Sequence, residues 1–339
     1  MDTTSKTKEL PVGQRVYTKG FANKYFGSFK KRGFSGTMVF WLWCLRLQVY
    51  HLYCKYIRKD GREKLYHSED VAFKYLNKKY GPFFQNDLKE NMCNKSASNK
   101  VWVCWLQGVD SAPKPIQRCV ESIQFHLKEH EIIIIDAQNY SQYVSLPDYI
   151  IEKWKRAVIS NTHFSDILRL ELLITHGGMW IDGDVFCTGG DYPSAMNDLP
   201  LFLFTNPLPS FPRAYQTDFA FSSWFISAKT NSVILTATRD FLYRYWYDMD
   251  FLTHYFLLHL TLSIVAKEYP NEWAQIPREL GVNATTLRGE KFNTFSKERW
   301  EQIKSLSCFH KLSYKQPGDF LKKDTFWDIL INRNSVGLP

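Results

Sequence analysis

This chain lacks cysteines at the spacing of a metal or redox pair: Cys44, Cys54, Cys93, Cys104, Cys119, Cys187 and Cys308 form no C-x-x-C. Their odd number and scatter suit reduced thiols in a cytosolic compartment and argue against a disulfide framework or a structural zinc. Residues 1–36 lack the order of cationic stretch, apolar stretch and cleavage site that marks a secretory signal. A long apolar run is missing as well. Thr37 to Ile57 is apolar, but Arg46, Gln48, His51 and Lys55 interrupt it before a membrane-crossing length of ~20 residues is reached. That segment therefore reads as an interfacial helix, as an amphipathic helix packed on the rest of the protein or, least simply, as a span. Internal repeats and low-complexity tracts are also lacking.

What is present is ample material for a core: 339 residues, 45% of them hydrophobic, with 16% aromatic, which is high. Aromatic side chains can be stacking platforms for sugars, but most must be core, so composition alone does not choose. Charge is uneven. Residues 1–100 hold 20 Lys and Arg against 8 Asp and Glu, the rest 23 against 26, so the whole excess of +9 is N-terminal. A basic arm suits an anionic membrane face, nucleic acid or plain solvation. The apolar segment that follows favours the membrane face over nucleic acid, with a cytoplasmic location, peripheral on the inner leaflet.

Along the chain, Asp70–Tyr80 reads as a helix and Asn91–Lys100 as a polar linker. This divides a basic, mainly helical N-terminal region, 1–97, from a second unit, 98–339. In the second unit apolar strands at Val101–Leu106, Ile132–Ile135 and Met179–Ile181 alternate with helices at about Ile116–Leu127, Asp148–Val158 and Ser165–His176. Strands at Leu201–Phe204 and Phe219–Ala228 and helices at Thr230–Tyr247 and Tyr255–Lys267 follow. The pattern predicts an α/β fold with one Rossmann-type, mostly parallel sheet covered by helices. Its carboxyl edge would carry Trp105, Asp136 and Asp182 together.

Asp182-Gly183-Asp184 is the most telling feature. Carboxylates two apart in an extended segment point to one side, so both can share a metal-bound nucleotide diphosphate, and Gly183 leaves room for phosphate. They emerge from the apolar strand Met179-Trp180-Ile181 and not from a polar loop. Upstream, Asp166 and Arg169 lie one turn apart on an amphipathic helix that Gly177-Gly178 ends. About 11 helical residues at ~1.5 Å and about 5 strand residues at ~3.3 Å both run roughly 17 Å, so the turn returns Asp166 to the side of Asp182. Each residue also has a plain structural reading. Asp166 and Arg169 can be a cap and a surface ion pair, Trp105 core, Asp136 a turn former, and Lys311 and Lys315 solvated charges rather than partners of a leaving diphosphate.

The blocks Val101–Gly108, Ala112-Pro-Lys-Pro, Cys119-Val-Glu-Ser122, His163–Arg169 with Gly177–Asp182, and His310–Lys315 together resemble the bacterial capsular polysaccharide synthesis glycosyltransferases. These belong to the D-x-D sugar-binding group near glycosyltransferase family 32. The resemblance covers roughly residues 100–315. It implies a GT-A-like fold, a nucleotide-sugar donor such as a UDP-sugar, a divalent Mn²⁺ or Mg²⁺ ion, and transfer with retention to an oligosaccharide or lipid-linked glycan acceptor of a capsular or exopolysaccharide. Carried over by position, Trp105 would stack on the donor base, Asp166 and Arg169 would hold sugar or ribose hydroxyls, and Asp182 and Asp184 would bind the metal diphosphate. His310 would serve as a further metal or phosphate contact. Two other readings compete. A haloacid-dehalogenase-like phosphatase would use Asp182-Gly-Asp184 with Gly318-Asp319 and Asp324, but the polar Ser313–Pro317 offers no strand before Gly318. A catalytically silent, membrane-associated assembly factor would keep the fold without turnover.

Overall fold

A computed structural model describes residues 21–59, 64–84, 96–190, 195–207, 219–277, 281–313 and 320–333. Three apolar, β-branched segments form the parallel part of the main sheet: β1 (Lys100–Cys104), β2 (Glu131–Ile135) and β3 (Gly178–Asp182). β1 lies between β2 and β3 and is parallel to both. Val101, Trp102 and Val103 are buried, as a strand covered on both faces requires. Two more strands, β5 (Leu201–Pro207) and β6 (Phe219–Ala228), complete the order β2-β1-β3-β6-β5. Both pairings of β6 are antiparallel, so it alone runs against the other four and makes the sheet mixed. Between β3 and β5 stands the short β4 (Val185–Cys187), which leaves this sheet and pairs antiparallel with β7 (Phe309–Lys311).

Helices α3 (Lys114–His126), α4 (Asp148–Lys155) and α5 (Asn161–His176) fall between β1 and β3 as the apolar periodicity predicts. Helix α5 starts earlier than its periodicity indicates, because the Ser160 hydroxyl accepts from the His163 amide and caps it. Asp166 consequently lies in the second turn, not the first. At the other end Gly177 (φ 66°) ends the helix, and Gly178 (φ 93°) passes so close to β1 that a Cβ would stand 2.2 Å from the Lys100 carbonyl oxygen. Only glycine serves there.

Past α6 (Ala195–Asp198) and β6, helices α7 (Val233–Asp248) and α8 (Leu257–Glu268) cover one face of the sheet. The short α9 (Pro270–Trp273) and α10 (Thr286–Glu290), then α11 (Lys297–Leu306), lead into β7. The N-terminal helices are α1 (Phe21–Leu52), kinked at Gly33 and extended by a π-helical turn at Tyr53–Ile57, and α2 (Lys64–Tyr80). Across the boundary expected near residue 98, Trp43 and the α2 residues Val71, Phe73, Leu76 and Tyr80 share one apolar cluster with Phe241, Tyr245 and Phe251. Residues 91–95 of the expected linker lie outside the described residues. Among those residues no helix is long and apolar enough to cross a membrane.

Candidate active site

Parallel pairing sets the register Cys104↔Asp182, so the residues that follow β1 and those that end β3 emerge at one edge of the sheet. A cavity of about 810 Å³ opens there, within the range of small-molecule sites. Trp105, Asp182, Gly183 and Asp184 line it from the sheet, Asn161, Thr162, Ser165 and Arg169 from the start of α5, and Tyr255 and Lys311 from farther along the chain. His163 ties two of these walls together, its ring nitrogens meeting Ser160 Oγ at 2.7 Å and the Tyr255 carbonyl at 3.1 Å.

Asp182 is the hub of a charged network. Its Oδ1 accepts from the Trp180 indole at 2.9 Å and from Arg169 Nη2 at 3.2 Å, and its Oδ2 accepts from Lys311 Nζ at 2.8 Å. The same ammonium donates to Asp184 Oδ1, so Lys311 stands between the two carboxylates of the D-x-D. Arg169 donates to the Ser223 carbonyl at 2.8 Å, reaches Asp166 at 3.3 Å, and lies 4.9 Å from the centre of the Trp180 ring. Counted formally, its two basic and three acidic side chains sum to one negative charge.

Electrostatics separate the carboxylates. Burial would raise Asp182, but Lys311 and Arg169, with the hydrogen bonds from Lys311 and Trp180, outweigh it and hold the carboxyl below its usual range. Asp184 is pushed up by burial and by Asp182, against the pull of Lys311. Burial likewise raises Asp166, which Arg169 only partly offsets. Burial would lower Lys311, yet the two carboxylates raise it, so it stays a cation.

The structure thus brings Trp105, Arg169, Asp182 and Asp184 to one cavity wall. Asp166 stands behind Arg169, 9% exposed and outside the cavity lining, and meets the cavity wall through the guanidinium. Gly183 has less to do with free space than expected: a Cβ there would meet Ile116 and Trp105 at 3.4 and 3.6 Å, ordinary contacts. Two expected residues do not reach the cavity. Asp136 Oδ1 accepts from the amides of Gln138 and Asn139 at 2.8 and 2.9 Å, which makes it the turn former at the end of β2. His310 is corrected more sharply, because strand alternation points it away from Lys311. It is fully buried near Trp300, 3.4 Å from Thr188 Oγ1, and burial lowers its imidazole to about 4. Sequence reasoning gives Lys311 no firm role, and its signal is the strand pairing Val185↔Lys311, which sets it beside the D-x-D. Lys315 and Gly318-Asp319 lie outside the described residues, and Asp324 pairs with Arg333 away from the cavity.

A divalent cation fits the donor set. Asp182 Oδ2 and Asp184 Oδ1 already converge on one positive charge, that of Lys311, and hard cations take such oxygens. Among the described residues no group of three or more His, Cys, Asp and Glu side chains could hold a metal, so the protein's share would be these two carboxylates. The remaining positions would fall to water or to a ligand.

The fold is thus α/β with a mixed sheet, and its paired carboxylates stand at a strand end beside a cavity, the edge at which open α/β sheets bind ligands. The chain belongs to the capsular polysaccharide synthesis protein family, whose match spans residues 54–330. No curated protein matches it. The solved structure titled PaToxG Glycosyltransferase is similar at 15% identity and a TM-score of 0.35, over 78% of this chain and 94% of that one. So distant a likeness carries no argument about the site.

Proposed function

We propose that this chain is a glycosyltransferase that moves a sugar from a nucleotide-sugar donor, a UDP-sugar in the first instance, to the glycan acceptor of a surface polysaccharide. The observation that carries the reading is the Asp182, Lys311 and Asp184 cluster on the wall of the cavity, in a chain of the capsular polysaccharide synthesis family. Asp182 and Asp184 would hold Mn²⁺ or Mg²⁺, whose chemistry there is to neutralise charge on the diphosphate. Arg169, fixed by Asp166, Ser223 and Trp180, presents a guanidinium to donor oxygens. Lys311, released from the carboxylates, can turn to the departing diphosphate. Trp105 offers a flat apolar face to the base, and Asn161, Thr162 and Ser165 offer hydrogen bonds to sugar hydroxyls.

In the reaction the bond from the anomeric carbon to phosphate oxygen breaks, its electron pair leaving on the diphosphate. The acceptor hydroxyl forms the new bond to the anomeric carbon, and its proton passes to the departing diphosphate. We assign retention of configuration, to be read from the anomeric coupling in the product. A thermal-shift screen of nucleotide sugars with Mn²⁺ tests binding, since a ligand of the native state raises Tm by mass action. Hydrolysis of the same panel tests turnover, which Asp182→Asn should abolish. Phosphate release from simple phosphomonoesters would instead favour a phosphatase. Inactivity with every donor and acceptor pair, without any donor-induced rise in Tm, would leave a silent assembly role.

A further inference from the structure

Helix α1 carries two apolar stripes where a packed helix needs one. Trp43, Leu47, Tyr50 and Cys54, three or four residues apart, face the fold. There the Trp43 indole donates to the Thr253 carbonyl at 3.2 Å, and Phe40 meets Phe251 edge to face at 5.6 Å. On the other side Met38, Leu42, Leu45 and Val49 recur at the same spacing, with Tyr56 two turns farther on, and are 52, 60, 60, 57 and 63% exposed. At ~100° per residue the two stripes lie about 140° apart. Packing on the fold explains the first stripe and leaves the second in solvent, where an apolar face of this extent marks an interaction surface.

Charge selects the partner. Between Glu9 and Asp60 the chain has ten Lys and Arg residues and no Asp or Glu. Arg46 and Lys55 fall on the two flanks of the exposed stripe, both outside the core, and Lys74 of α2 stands with Leu42, Leu45 and Val49 around a groove of about 550 Å³. A second copy of the chain is a poor occupant, because a two-fold pairing through the stripe would bring cation-only segments together. An apolar boundary edged by anions suits both features. We infer that the outer face of α1 lies in the boundary between headgroups and acyl chains of an anionic lipid leaflet. Since Trp43 is fastened to Thr253, two residues before the cavity-lining Tyr255, the leaflet would stand at a fixed position relative to the cavity. That arrangement favours a glycan acceptor held in the membrane.

The inference stands apart from the transferase reading, because docking is measured without substrate. The full chain is sedimented with vesicles of phosphatidylcholine alone and of phosphatidylcholine mixed with phosphatidylglycerol. Binding is expected to the mixed vesicles, with release at high salt. The triple substitution Leu42→Glu, Leu45→Glu and Val49→Glu, at exposed positions, should weaken partitioning by about tenfold or more. Arg46→Gln with Lys55→Gln should weaken it several-fold for the anionic vesicles alone. Quenching of the unmodified protein's tryptophan emission by brominated phosphatidylglycerol reads insertion even where a variant fails to fold. Equal binding to neutral vesicles, full binding by the triple variant, or absence of quenching would overturn the inference. So would a dimer in solution that the triple substitution dissolves, in a protein that ignores vesicles.

Discussion

Asp182 and Asp184 at the cavity, and Asp324 and Asp328 near the C-terminal end, are both carboxylate pairs gripped by basic side chains, and they differ in where the grip comes from. In the second pair Arg333 reaches Asp324 at 2.5 Å and Asp328 at 2.6 Å, while Asp328 also accepts from the Asp324 amide at 3.0 Å. Every partner lies within ten residues, and the result is a closed π-helical turn, Asp328–Asn332, with Asp328 fully buried. In the first pair the partners come from α5, from β3 and, across 129 positions, from β7. They surround a cavity instead of filling it. Charged clusters made from one short stretch serve that stretch, whereas clusters drawn from distant segments around open space need another reason, and a ligand supplies it.

Substitution can break that contrast. Asp182→Asn should lower sugar transfer about a thousandfold or more while Tm moves little, since the loss falls on charge at the reacting group. A variant that transfers as the wild type does would place the chemistry elsewhere. Lys311→Ala should slow transfer about a hundredfold and, by vacating the place between the carboxylates, tighten Mn²⁺ binding in calorimetry about tenfold. Unchanged Mn²⁺ affinity would show that Lys311 and the ion do not compete. Asp166→Asn, one contact removed, should cost about tenfold, mainly in KM for the donor.

The other pair should respond in stability alone. Asp328→Asn is expected to lower Tm by several degrees and leave transfer per folded molecule intact; a selective loss of activity would erase the distinction. The smallest effect concerns pH. Burial lowers the imidazoles of His254, His259 and His310 from 6.5 to about 4. Between those values the unfolded chain binds protons that the folded one refuses, so stability should decline as pH falls through this window and level off below about 4. A thermal-melt series whose Tm holds steady from pH 6.5 to 4 would show that other groups compensate.

Much of this architecture is legible in the amino-acid order alone. Continuous apolar runs mark β1, β2 and β3, the helical period marks α3 and α5, and Gly177-Gly178 marks the turn that carries the chain from α5 back into β3. The start of α5 is not legible from periodicity, because its cap Ser160 is followed by the polar Asn161 and Thr162, which face the cavity. β4 and β7 are three residues each, too short for a period of two to register. That is also why His310 looks as eligible as Lys311. Adjacent residues in a strand face opposite ways, and only the pairing of β4 with β7 decides which of them meets the carboxylates.

The same pairing has a consequence for how the protein is made. Lys311 follows Asp184 by 127 positions, so a nascent chain exposes both carboxylates long before their counter-ion has left the ribosome. Until β7 docks on β4, the cavity lacks its lysine wall and keeps an excess of negative charge that repels diphosphates. Under the transferase reading, competence for donor would thus wait on the synthesis and docking of β7.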